Sequence, residues 1–101
     1  MKYSANISSA VAEAMLTERI TFSDNVLFRT MIAELLAAEP KTVALDLSQV
    51  AFIDSSGLGM LLLARDEVLK NGKDIVLRKP QGQVAKLFAL SDFDSLFRIE
   101  S

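Results

Sequence analysis

The run Val43-Ala44-Leu45-Asp46-Leu47-Ser48-Gln49-Val50-Ala51-Phe52-Ile53-Asp54-Ser55-Ser56-Gly57-Leu58-Gly59 carries the chain from apolar strand to helix start. Val43 to Leu47 is a short β-rich apolar run of the kind found in a strand buried on both faces. Ser48-Gln49 interrupts it briefly, and Val50 to Ile53 forms a second apolar, strand-like stretch. The hexad Asp54-Ser55-Ser56-Gly57-Leu58-Gly59 follows directly. Beyond it Leu58, Met60 to Leu63, Val68 and Leu69 continue as a helix, with Arg65, Asp66, Glu67 and Lys70 on its polar side. Asn71-Gly72 ends that helix with a left-handed glycine cap.

Working outward, Ser23 and Asp24 mark an upstream helix start, because a hydroxyl can accept from a free backbone N–H and a carboxylate suits the positive end of the helix dipole. Leu27, Phe28, Met31, Ile32, Leu35 and Leu36 then recur at three- and four-residue intervals on one face, and Pro40 stops the helix. Before it, Tyr3 to Leu16 shows only weak alternation, which predicts one or two marginal strands. Downstream, Asp74 to Arg78 reads as a strand closed by Pro80, Val84 to Leu90 as a third helix, and Leu96 to Ile99 as a last strand. The alternation of strands and helices predicts an α/β architecture, a mixed β-sheet covered by α-helices, in a single domain spanning residues 1–101.

Composition narrows the function. The 101 residues contain no cysteine and no histidine, which removes disulfides, thiolate metal sites and Ser-His or Cys-His nucleophilic machinery. No metal site, no cofactor and no enzymatic activity are expected. A net charge of −2 with 11 scattered basic residues argues against direct nucleic-acid binding. No segment approaches the about 20 apolar residues of a membrane span, and no apolar stretch follows Lys2 as a secretory signal requires. A cytoplasmic protein without membrane contact is the expectation.

The hexad places Ser55 where a helix begins. First-turn N–H groups have no intrahelical acceptor, and the dipole adds partial positive charge, so an anionic oxygen is favoured there. Gly57 and Gly59 remove side-chain bulk and allow another macromolecule to approach closely, although glycine in a first turn costs up to about 1 kcal/mol relative to alanine. Two readings of these residues stand side by side. Asp54 and Ser55 can be simply a cap, or Ser55 can be an accessible hydroxyl held at an anion-favouring junction. A nucleotide loop is a weaker reading, because neither a Gly-Lys-Ser/Thr ending nor a Gly-x-Gly-x-x-Gly series is present.

The run from Val43 to Gly59, with Asn71-Gly72-Lys73, Ile75-Val76-Leu77, Val84-Ala85-Lys86-Leu87-Phe88 and Leu96-Phe97, resembles the STAS domains, and within them the bacterial anti-sigma factor antagonists. The resemblance covers roughly Ile20 to the C-terminus. It implies the STAS fold and a partner switch. The unmodified antagonist binds an anti-sigma factor that is also a serine-protein kinase. That kinase phosphorylates the serine after the aspartate, and a serine/threonine phosphatase restores it. By position the phosphorylated residue is Ser55, and Asp54, Ser55, Ser56, Gly57, Leu58 and Gly59 form the partner-binding segment. The same fold also resembles non-phosphorylated accessory subunits of transport complexes. One departure is that family members often carry Gly-x-Leu-Asp before the first helix, where this chain has Glu18-Arg19-Ile20-Thr21. The other is that the N-terminal strands are poor in β-branched residues, which predicts a short or loosely attached first strand.

The remaining features have plain expectations. Met15, Met31 and Met60 read as core fillers, and Phe22 and Phe28 as core or helix-entry packing. Phe93 and Phe97, near the terminus, read as candidate exposed partner contacts. Lys70, Lys73, Arg78 and Lys79 read as a solvated basic group.

Overall fold

Parallel strands need long crossovers, and the sequence supplies three amphipathic helices for the purpose. The computed structural model describes residues 1–101. Its strands are β1 (Lys2–Ile7), β2 (Val11–Ile20), β3 (Thr42–Ile53), β4 (Asp74–Arg78) and β5 (Arg98–Glu100). The helices are α1 (Asn25–Ala37), α2 (Ser55–Lys70) and α3 (Gly82–Leu90), with 3-10 turns at Phe22–Asp24 and Phe93–Ser95. The sheet order is β1-β2-β3-β4-β5; β1 is antiparallel to β2 and every other pairing is parallel. Because successive parallel strands advance in one direction, the right-handed crossover rule carries α1, α2 and α3 to the same side of the sheet.

Register explains the core. Ala12 and Ala14 of β2 align with Val43 and Leu45 of β3, which align with Ile75 and Leu77 of β4. These residues join Phe28, Met31, Ile32 and Leu35 of α1, Leu61 and Val68 of α2, and Val84 and Phe88 of α3 in one hydrophobic cluster. In the alternate phase, Arg78 reaches across β3 to Glu13 (2.8 Å) and also pairs with Glu100 (2.9 Å). Hydrogen bonds donated to Glu13 and Glu100 hold the Arg78 guanidinium above its ordinary pKa.

Several expectations change. The stretch from Thr42 to Ile53 is one strand: Ser48 does not break it, because its N–H donates to Asp46 Oδ1 (2.9 Å) while register shifts between β2 and β3 absorb the irregularity. The first strand is not loosely attached, since all of Lys2 to Ile7 pairs with β2 and Tyr3 Oη donates to Glu34 of α1 (2.7 Å). At the α1 entry, Thr21 and Asp24, not Ser23, lock the turn: the Thr21 N–H donates to Asp24 Oδ2 at 2.9 Å. The last strand begins at Arg98, two residues late, because Phe93 to Ser95 forms a turn. Phe93 and Phe97 are buried, not exposed partner contacts; Phe93 stacks on Phe88 (4.9 Å) and on Phe97 (5.1 Å). Phe22 is 70% exposed and Met15 40% exposed, so neither is a core residue, whereas Phe28, Met31 and Met60 are. Of the basic group, Arg78 is engaged by Glu13 and Glu100, and Lys73 Nζ donates to the Leu36 (3.0 Å) and Ala38 (2.6 Å) carbonyls at the end of α1.

Candidate functional site

β3 delivers its last residue, Ile53, to the junction where α2 begins. The next residue, Asp54, is still extended, and its N–H donates to the Ile20 carbonyl at the end of β2 (3.3 Å). Its side chain turns into the helix, where Oδ1 accepts from the Gly57 N–H at 2.7 Å. Asp54 is therefore the N-cap of α2, and its carbonyl accepts the first helical bond, from Leu58 N–H (3.1 Å).

This division of labour separates the two readings of Ser55. Capping falls to Asp54 alone, and the side chains of Ser55 and Ser56 are exposed and make no hydrogen bond within the chain. As the first two residues of α2, they also present backbone N–H groups that no helical carbonyl can reach. The result is a hydroxyl beside free donors at the positive end of a sixteen-residue helix.

The two glycines differ in cause. Gly57 is buried, and a Cβ there would lie 2.6 Å from both the Ile20 carbonyl oxygen and Ile53 Cγ2. Its missing side chain lets α2 sit against the end of β2; it does not leave room for a visitor. At Gly59 nothing lies within 4 Å of such a Cβ, so this position is open to solvent or to a partner. Leu58 is half-buried and packs on the core. Asp54, Ser55, Ser56 and Gly59 thus reach the surface together, while Gly57 shapes it from beneath.

Three residues outside the hexad carried no site signal in the sequence. Phe22 lies two residues beyond Ile20, whose carbonyl touches the site, and Val26 follows one helical turn later; both are largely exposed. Gln83 of α3 holds the backbone of Ile53 through two hydrogen bonds of 3.1 Å each. The Gly-x-Leu-Asp departure also becomes physical: Glu18, standing where the family often has glycine, has a left-handed backbone (φ +71°) beside a register shift of β2. No group of three or more carboxylates gathers to hold a metal ion. No helix is long and apolar enough to cross a membrane.

The sequence profile of the STAS domain matches residues 4–101. A STAS-domain containing protein of Pseudomonas aeruginosa is 39% identical over 66 residues, 65% of this chain and 65% of that protein. The chain thus spans just under two-thirds of that curated relative. Among solved structures, a protein assigned as an anti-sigma factor antagonist of Thermotoga maritima superimposes with a TM-score of 0.86 at 22% identity, covering 98% of this chain and 86% of that one. The anti-sigma factor antagonist SpoIIAA superimposes in its unphosphorylated form with a TM-score of 0.79 at 18% identity, over 99% and 89% of the two chains. Its phosphorylated form, from Bacillus, gives 0.72 at 17% identity, over 99% and 92%. At these identities the structures establish a common fold.

Proposed function

This chain belongs to the STAS domain family, and we propose that it acts as an anti-sigma factor antagonist whose partner choice is switched at Ser55. Unmodified, it binds an anti-sigma factor that is also a serine-protein kinase; phosphorylation of Ser55 blocks that binding, and a serine/threonine phosphatase reverses it. The observation that carries the reading is the free Ser55 hydroxyl, exposed at the α2 start because Asp54 already caps the helix.

The physics of the modification is local. A phosphate adds about −1.5 to −2 charge at neutral pH and three acceptor oxygens. Within the domain it meets the free N–H groups of the first turn and the helix dipole, which offset repulsion from Asp54. Against a partner docked on Ser55, Ser56 and Gly59 it imposes repulsion and desolvation. Binding is lost without refolding.

The test is incubation with the cognate kinase and ATP, followed by mapping of the phosphate by mass spectrometry. The phosphate is expected on Ser55, with Ser55→Ala binding the kinase constitutively and Ser55→Asp binding poorly. Phosphate found only away from Ser55 and Ser56 overturns the mechanism. A transport complex that co-purifies equally with wild type and Ser55→Asp identifies the chain instead as a non-phosphorylated accessory subunit.

A further inference from the structure

Ile53 is the last residue of β3, and the two sides of the strand differ there. On the β2 side, the next residue's N–H donates to the Ile20 carbonyl. In an extended strand successive residues direct their N–H and C=O to opposite edges, so those of Ile53 face the β4 side. No strand stands there, because β4 pairs with β3 only from Thr42 to Asp46. The carboxamide of Gln83 occupies the gap: the Ile53 N–H donates to Oε1 (3.1 Å), and Nε2 donates to the Ile53 carbonyl (3.1 Å). One side chain thus does what a neighbouring strand residue would do.

α3 is built to place it. Gly82 has φ +50°, a conformation costly for residues with a Cβ, and Gln83 follows immediately. Gln83 is exposed and contributes nothing to the hydrophobic cluster, so the core does not depend on it. Ile53 precedes the Asp54 cap and lies two residues before Ser55. Its backbone has two restraints, β2 through Asp54 and α3 through Gln83.

We infer that Gln83 is a positioning residue for Ser55: its carboxamide fixes the end of β3 and so sets where the α2 start presents the hydroxyl. The inference rests on the reading of Ser55 as the modified residue. Small displacements of a reacting group cost large factors in rate, so a clamp at the preceding strand end acts on phosphoryl transfer without touching the phosphate.

The experiment compares wild type, Gln83→Ala and Gln83→Glu, the last keeping an acceptor but losing the donor to the Ile53 carbonyl. Amide exchange followed by NMR is expected to be about ten-fold faster at Ile53 in Gln83→Ala and close to wild type in Gln83→Glu, whose carboxylate still accepts from the Ile53 N–H, with exchange in β4 and α2 beyond its first turn unchanged. With the cognate kinase, kcat for Ser55 phosphorylation is expected to fall about ten-fold while KM moves less than about two-fold. Unchanged exchange at Ile53 in Gln83→Ala, or a wild-type phosphorylation rate in the folded variants, overturns the inference. If wild type is not phosphorylated at Ser55, the functional reading fails; the clamp is then decided by exchange at Ile53 and the Ser55 amide chemical shift, and no change in either overturns it.

Discussion

Asp54 Oδ1 lies 2.7 Å from the Gly57 amide nitrogen, and this hydrogen bond leaves the intervening serines free. Aspartate is among the best N-caps because its short side chain reaches the third N–H while its charge suits the dipole. Asp54→Ala is expected to lower stability by about 1 kcal/mol, and Asp54→Asn by less, since asparagine caps nearly as well. Urea denaturation of the unmodified proteins measures both.

Gly57 and Gly59 are expected to respond to the same methyl group with opposite signs. Gly57→Ala drives a Cβ into the Ile20 carbonyl and Ile53 Cγ2, with a loss of about 2 kcal/mol from overpacking that backbone cannot readily relieve. Gly59→Ala enters open space within a helix and gains about 0.5–1 kcal/mol from the better helix former. If Gly59 serves close approach of the kinase, the same variant is more stable yet binds the kinase more weakly; thermal unfolding and titration calorimetry on one sample read both.

Glu18 holds φ +71° at an exposed register shift within β2, a conformation that costs a side-chain-bearing residue about 1–2 kcal/mol. Its nearest cation, Lys2, is 4.0 Å away and exposed, and such a pair adds little. Glu18→Gly is therefore expected to stabilise the fold by about 0.5 kcal/mol after the greater freedom of glycine in the unfolded chain is set against the strain removed. A denaturation midpoint that falls contradicts this.

Much of the fold was legible because apolar spacing is a direct imprint of burial. Phe28, Met31, Ile32 and Leu35 repeat with the helix and are buried, and the apolar runs at Val43 and Ile75 lie in buried strands. The cap was legible too, but its assignment between Asp54 and Ser55 required geometry. Other features left no local trace. The Gln83 clamp joins residues thirty apart in the chain, and Phe93 and Phe97, in and just after a turn without periodicity, are buried by a stack in which Phe93 lies between Phe88 and Phe97. An aromatic residue before a helix reads as packing, yet Phe22, between Thr21 and Asp24 of the hydrogen-bonded turn, is exposed.

That lock makes stability sensitive to acid. Burial by itself would raise the Asp24 carboxyl, but hydrogen bonds from the N-terminal ammonium (2.9 Å) and the Thr21 amide (2.9 Å), with the ammonium's charge, hold it below its ordinary value. A carboxyl with a depressed folded pKa contributes stability above its unfolded value and loses it as pH falls through the folded one. Wild type is therefore expected to lose more stability than Asp24→Asn as pH falls below about 4. Urea midpoints at neutral pH and in acid check the difference; parallel losses contradict it.

The central claim is that one phosphate on Ser55 changes partner choice without changing the fold. Its most direct measurement is the affinity of the cognate kinase for the unmodified protein and for a homogeneous Ser55-phosphorylated sample, with thermal unfolding of each. The account predicts binding weakened by about 100-fold or more, since like-charge juxtaposition costs several kcal/mol at an interface, with nearly the same unfolding temperature. Equal affinities for the two forms, or loss of binding only together with loss of the fold, would contradict it.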